Sequence, residues 1–164
     1  LAEQRWGIRE IADRFETKGK GVLVNYTEEI ATLTDMLTIC KNIGLSMDML
    51  NHQLAAEIYT ATTGIHLTVT EMTQAAQRVI QIEKCFNARE GIRKVDDTLP
   101  DRFLKEPLRK GATAGQVVDL EPMLLEYYQI RGIDPETGIP LPSKLRELQL
   151  EEVALDMERL LVSA

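Results

Sequence analysis

Two cysteines, Cys40 and Cys85, and two histidines, His52 and His66, are the side chains of this 164-residue chain best suited to hold a metal. The cysteines stand 45 positions apart and show no Cys-x-x-Cys spacing. That argues against a disulfide framework and against a self-contained structural zinc site. Any metal chemistry therefore needs ligands from elsewhere. Cys40 closes the segment Asp35-Met36-Leu37-Thr38-Ile39-Cys40 at the end of an apolar face. Read alone, it is either a small buried hydrophobe or one ligand of a larger set. Cys85 falls within a helical stripe and reads as a core residue, while His52 and His66 read as surface or hydrogen-bonded histidines. A second chemistry-bearing run spans Asn87 to Arg102, where Arg93 and Asp97 would meet on one face if the helix persists. Such a pair suits a structural corner; the functional alternative is that Arg89 or Arg93 holds a phosphate. Tyr127 and Tyr128 read as packing and hydrogen-bonding residues.

The elements that must position these residues are helical. No stretch alternates apolar and polar residues around β-branched positions, so the fold class is all-α. A short helix is expected over Leu1 to Arg14, ending in the turn Lys18-Gly19-Lys20-Gly21. From Val22 to about Cys40, the residues Leu23, Tyr26, Ile30, Leu33, Leu37 and Cys40 recur at steps of three or four and predict one helix. Ser46 is placed to cap the next, with Asp48 in its first turn and Gly64 at its end. Thr68 and Glu71 have capping-box spacing and open the longest helix, out to roughly Arg93. Residues 96–118 carry Pro100, Pro107, Gly111 and Gly115 and predict a long irregular loop, either functional or laid across a neighbour. Asp119 caps a helix ending at Arg131-Gly132, a turn-rich link runs from Asp134 to Pro142, and a helical pair covers Ser143 to Leu161.

Composition narrows the partners. With 19 Lys+Arg against 26 Asp+Glu, the net charge is −7, which argues against a nucleic-acid backbone as the main ligand. No apolar run approaches the ~18–20 residues of a membrane span, and the N-terminus lacks the pattern of a signal peptide, so the expected location is cytoplasmic. A chain of this length buries roughly 70% of its unfolded surface, enough to fold without metal. Basic residues concentrate in 84–110, which holds 8 of them against 5 acidic ones. That excess could face an anion or form a self-neutralising network. The first residue is Leu rather than Met, which is consistent with a piece separated from something larger.

Four motifs then occur in order: Phe86-Asn87-Ala88-Arg89-Glu90-Gly91, Asp96-Asp97-Thr98-Leu99-Pro100-Asp101-Arg102-Phe103, Glu106-Pro107-Leu108, and Glu126-Tyr127-Tyr128-Gln129-Ile130-Arg131-Gly132 with Gly138-Ile139-Pro140. In this order they resemble the C-terminal region of the tungsten-containing aldehyde ferredoxin oxidoreductases, from about Phe15 to Leu150. The resemblance implies that residues 1–164 are the last helical domain of a larger enzyme whose upstream domains are its first partners. It implies oxidation of an aldehyde to a carboxylic acid at a tungsten bis-pterin cofactor, with electrons leaving through a four-iron four-sulfur cluster to ferredoxin. The family's Asp-x-x-Gly-Leu-Cys pattern maps Asp35 onto a pterin-binding Asp and Cys40 onto the fourth cluster cysteine. Ile39 then replaces Leu, and Thr38 stands where the family usually has Gly. The remaining cluster cysteines and the catalytic acid–base residues are expected upstream, so no catalytic residue is named here. The isolated chain is expected to be inactive and colourless, and to expose an apolar surface around Leu33, Leu37 and Cys40 that could make it a homo-oligomer. Two competing readings are a ring-reducing thioester reductase of the same superfamily and a helical binding module without redox function.

Overall fold

Gly19 turns the chain into its first described helix with φ of +82°. This computed structural model describes Asp13 and residues 15–163; the helix expected over Leu1–Arg14 lies outside the described residues apart from Asp13. Helix α1 runs Lys20–Met36, α2 His52–Thr63, α3 Val69–Arg89, α4 Asp101–Lys105, α5 Leu120–Arg131, α6 Pro142–Glu147 and α7 Glu151–Ser163. A π-helical turn occupies Asn42–Ser46 and a 3₁₀ turn Lys94–Asp96. Among the described residues the only β pairing is two isolated bridges, so the all-α expectation holds.

Two apolar clusters share α3. Ile30, Leu33, Leu50, Ala55, Ala56, Met72 and Ala76 pack α1 and α2 onto its first half. Cys85, Ala88, Ile139, Leu145, Ala154 and Met157 pack α6, α7 and the 132–141 link onto its second half. Helix α5 lies along α1. Its Glu126 accepts the N–H groups of Gly19 (3.0 Å) and Gly21 (2.7 Å), so a carboxylate caps the positive end of α1. Gly21 is required for this approach: a Cβ there would lie 2.6 Å from the backbone nitrogen of Tyr127.

The stripes of α1, α3 and α5 form helices close to the expected spans, but three boundaries differ for local reasons. Helix α1 ends at Met36, not Cys40, because the chain reverses through a Schellman turn. The N–H of Thr38 donates to Asp35 O and that of Ile39 to Thr34 O, with Thr38 at φ +56° and Ile39 packed on the cluster containing Leu33. Ser46 does not cap α2; it lies in the π-helical turn, Asp48 has φ +51°, and Asn51 is the cap, its side chain accepting from Leu54 N–H at 2.9 Å. Thr68 and Glu71 do form their capping box. Helix α3 stops at Arg89, so Arg93 and Asp97 never share a helical face. The Arg93 guanidinium donates instead to the carbonyls of Ala88 and Ile92, and Asp97 takes Lys84 and the Tyr128 hydroxyl. Asp119 occupies the cap position of α5 without a side-chain bond, and Gly132 ends that helix in the left-handed conformation.

A β-branched residue at φ +56° is strained, at roughly 1–2 kcal/mol for the left-handed region. Glycine relieves that strain but gives back about 0.5–1 kcal/mol in unfolded-chain entropy. Thr38→Gly is therefore expected to stabilise the chain by about 0.5–1 kcal/mol, read as a higher urea midpoint at unchanged slope.

Candidate functional site

The Schellman turn explains the segment that carries Cys40. Asp35 lies in the last turn of α1, Thr38 supplies the left-handed residue, and Ile39 makes the apolar contact back onto the helix. The left-handed and apolar positions of the Asp-x-x-Gly-Leu-Cys pattern thus have a backbone reason, and the residue after the turn is exposed. Cys40 is exposed, against the reading of a buried small hydrophobe. Its carbonyl accepts the N–H groups of Ile43 (2.9 Å) and Gly44 (3.0 Å), so the thiol sits between two hydrogen-bonded turns. Gly44 lets the second turn press on α1: a Cβ there would stand 2.5 Å from Thr34 Oγ1 and 2.9 Å from Thr34 Cγ2.

Asp35 is exposed, and its Oδ2 pairs with Lys41 Nζ at 2.9 Å. Thr38 is exposed and Ile39 half-buried. The structure therefore gathers Asp35, Thr38 and Cys40 at one surface, the C-terminal end of α1. In this segment and the turn that follows it, the exposed apolar side chains are Met36, Ile43, Met47 and Met49. Leu33 is fully buried, which corrects the expectation that it contributes to an open apolar surface, and Leu37 is half-buried.

Cys85 is 4% exposed and belongs to the second cluster, as its core reading requires. Burial pushes its thiol up to about 12, so it stays protonated at neutral pH. His52 is satisfied by Glu29 at 2.9 Å, and His66 is exposed. Four of the eight basic residues of 84–110 pair with carboxylates, Lys84 with Asp97, Arg89 with Glu90, Lys94 with Glu121 and Lys105 with Asp101.

A buried polar junction at the middle of the fold was not read from the sequence. Arg131, 3% exposed, reaches from α5 to Glu28 (3.0 Å), Glu29 (3.2 Å) and the Asn25 carbonyl (2.9 Å) on α1. His52 on α2 and Gln77 on α3 complete the shell of Glu29, and the Tyr127 hydroxyl donates to Glu28. Burial raises Glu29, but the hydrogen bonds from His52 and Gln77 and the charge of Arg131 outweigh it and leave the carboxyl below its ordinary range. The consecutive pair Glu28-Glu29 inside an apolar stripe was the available signal.

The donor set fits what the resemblance implies, in part. An exposed thiol is a soft ligand suited to iron–sulfur ligation, and an acceptor-only carboxylate suits the N–H edge of a pterin. One thiol fills one coordination position. Among the described residues, no group of three or more His, Cys, Asp or Glu side chains could hold a metal ion. The same residues contain no helix long and apolar enough to cross a membrane.

The family model for aldehyde ferredoxin oxidoreductase, domains 2 and 3, matches residues 1–150. A tungsten-containing aldehyde ferredoxin oxidoreductase of Pyrococcus horikoshii is 38% identical over 60% of this chain and 17% of its own length. The Pyrococcus abyssi protein of that name is 33% identical over 76% of this chain and 20% of its own length. The chain thus spans about a fifth of these relatives. A solved structure described as the active site complex BamBC of benzoyl coenzyme A reductase with 1,5-dienoyl-CoA shares the fold. It has a TM-score of 0.75 at 21% identity, over 94% of this chain and 23% of that one. A match that runs over residues 1–150 carries one assignment: this chain belongs to the aldehyde ferredoxin oxidoreductase family, in the part of it that forms domains 2 and 3.

Proposed function

We propose that this chain is the C-terminal helical part of a longer tungsten-dependent oxidoreductase that oxidises aldehydes to carboxylic acids. Asp35 and the turn residues Thr38 and Ile39 face a tungsten bis-pterin, and Cys40 contributes the fourth cysteine ligand of a four-iron four-sulfur cluster. When bound, these groups supply the two-electron chemistry and pass electrons singly to ferredoxin. This chain's share is positional. The Asp35 carboxylate accepts hydrogen bonds, the Schellman turn sets the direction of the Cys40 thiol, and Met36, Ile43, Met47 and Met49 meet the upstream domains. The observation that carries the reading is the exposed thiol one residue past a left-handed turn, in a chain of this family.

The isolated chain lacks the remaining ligands and is inactive on this reading; the intact protein works in the cytoplasm, and a homo-oligomer is compatible with the apolar patch. Replacing Cys40 with Ala in the longer polypeptide should lower its iron several-fold while Cys85→Ala leaves iron unchanged. Full iron in the Cys40 variant would refute the ligand role. Reduction of an aromatic-ring thioester is the second reading, motivated by the shared fold with the benzoyl-CoA reductase complex. Aldehyde-dependent reduction of an artificial electron acceptor by the longer protein separates the two, and its absence would exclude aldehyde oxidation.

A further inference from the structure

We infer that Lys41 is a positioning residue for both site groups, orienting the Asp35 carboxylate and setting the charge beside Cys40. This rests on the proposed roles of Asp35 and Cys40. The last turn of α1 contains no basic residue and does contain Asp35, so its negative dipole end carries an added negative charge. Lys41 supplies the missing cation from the following element. Its Nζ holds Asp35 Oδ2 at 2.9 Å across the Schellman turn, while its backbone comes directly after Cys40. The ammonium is thus tied to one site residue through space and to the other through the chain.

The ion pair engages Oδ2, and a carboxylate has a second oxygen with which to accept. Lys41 therefore turns Asp35 without using up its acceptor capacity. Asp35 and Lys41 both line a cleft of about 370 Å³ between α1 and α3, with Thr32 and Ile80 on its walls. The other charged groups on that cleft are Glu28 and Glu83, so Lys41 is its one cation among the described residues. Glu28 is already paired with Arg131, so with Lys41 neutralised it is Asp35 and the end of the α1 dipole, both before Cys40 in the chain, that lose their compensating cation.

Two measurements on the longer polypeptide test this, pterin loss and cluster potential. Pterin loss is followed as the fluorescent oxidised derivative, and the potential by redox titration of the cluster signal. Lys41→Gln is expected to speed pterin loss about two- to fivefold, the range of an exposed ion pair, and to make the potential more negative because a nearby positive charge is gone. Lys41→Arg is expected to restore both. An unchanged potential in Lys41→Gln, or failure of Arg to restore it, overturns the inference. The Cys40→Ala variant is measured alongside: if it keeps its iron, the reading beneath the inference has failed, independently of Lys41.

Discussion

Replacing Arg131 with Met is expected to cost about 3–5 kcal/mol, the largest loss from any single substitution considered for this fold. The guanidinium is 3% exposed, and its removal leaves Glu29, with a side chain 6% exposed, facing burial with only His52, Gln77 and Asn25 for company. Breaking a buried pair from one side costs this much because the remaining charge is uncompensated. For a chain of this length the loss corresponds to a fall in melting temperature of order 10 °C. The pH dependence carries the sign. Glu29 is held below its ordinary range in the folded chain, so its contribution is fully present above about pH 4.3, the ordinary carboxylate value. It is lost as pH falls through the lower folded value. Without Arg131, one of the forces opposing burial is gone, so the deficit against the natural chain should be greatest near neutrality and shrink below about pH 4. Urea denaturation at pH 7 and pH 3 measures it; an equal deficit at both would mean that lost packing of the Arg131 stem, rather than charge, dominates.

Gly44→Ala is expected to be the second most damaging change, at about 2–3 kcal/mol from overpacking. The new methyl would meet both Oγ1 and Cγ2 of Thr34, so no rotation of that β-branched side chain clears it. Thr34 is itself fixed, fully buried and donating its hydroxyl to Ile30 O at 2.6 Å. The remaining way out is for the Asn42–Ser46 turn to lift from α1, which would carry Cys40 with it because the Cys40 carbonyl is bonded to Ile43 and Gly44. Thr34→Ala in the same chain removes the obstructing atoms. The double variant should therefore recover more than half of the loss, a coupling that a double-mutant cycle reads directly. Simple additivity of the two substitutions would disprove the steric account.

How far the sequence could be read follows from the range of the forces involved. Helices whose apolar residues recur every three or four positions were legible, because Leu23, Ile30 and Leu33 encode a face without reference to anything distant. The Thr68–Glu71 box was legible for the same reason: both partners lie within one turn. Where α1 would stop was not. Nothing short of the turn's hydrogen bonds shows that a Thr adopts the conformation normally left to Gly, and periodicity runs straight on through Leu37 to Cys40. Asn51 was missed as a cap because Ser46 offered the same chemistry earlier, and the π-helical turn that consumes Ser46 depends on Gly44 meeting Thr34 ten positions back. Arg131 meets Glu28 and Glu29 across more than a hundred residues, which no local pattern encodes. The candidate site was legible only through the resemblance; the backbone reversal at Thr38 that leaves Cys40 exposed is visible only in the folded chain.

Helix α3 has a thermodynamic consequence of its own. Its 21 residues extend about 31 Å, and its two halves are buried by different partners, α1 and α2 at one end and α6 and α7 at the other. Neither group of partners can leave without stripping water-shielding from half of the same rod. An opening in one half leaves the other half covered by its own partners, so α3 is a shared rod joining two clusters that can open separately. The end of the fold beside Ile39 and the distant end at Met157 consequently carry separate free energies of opening.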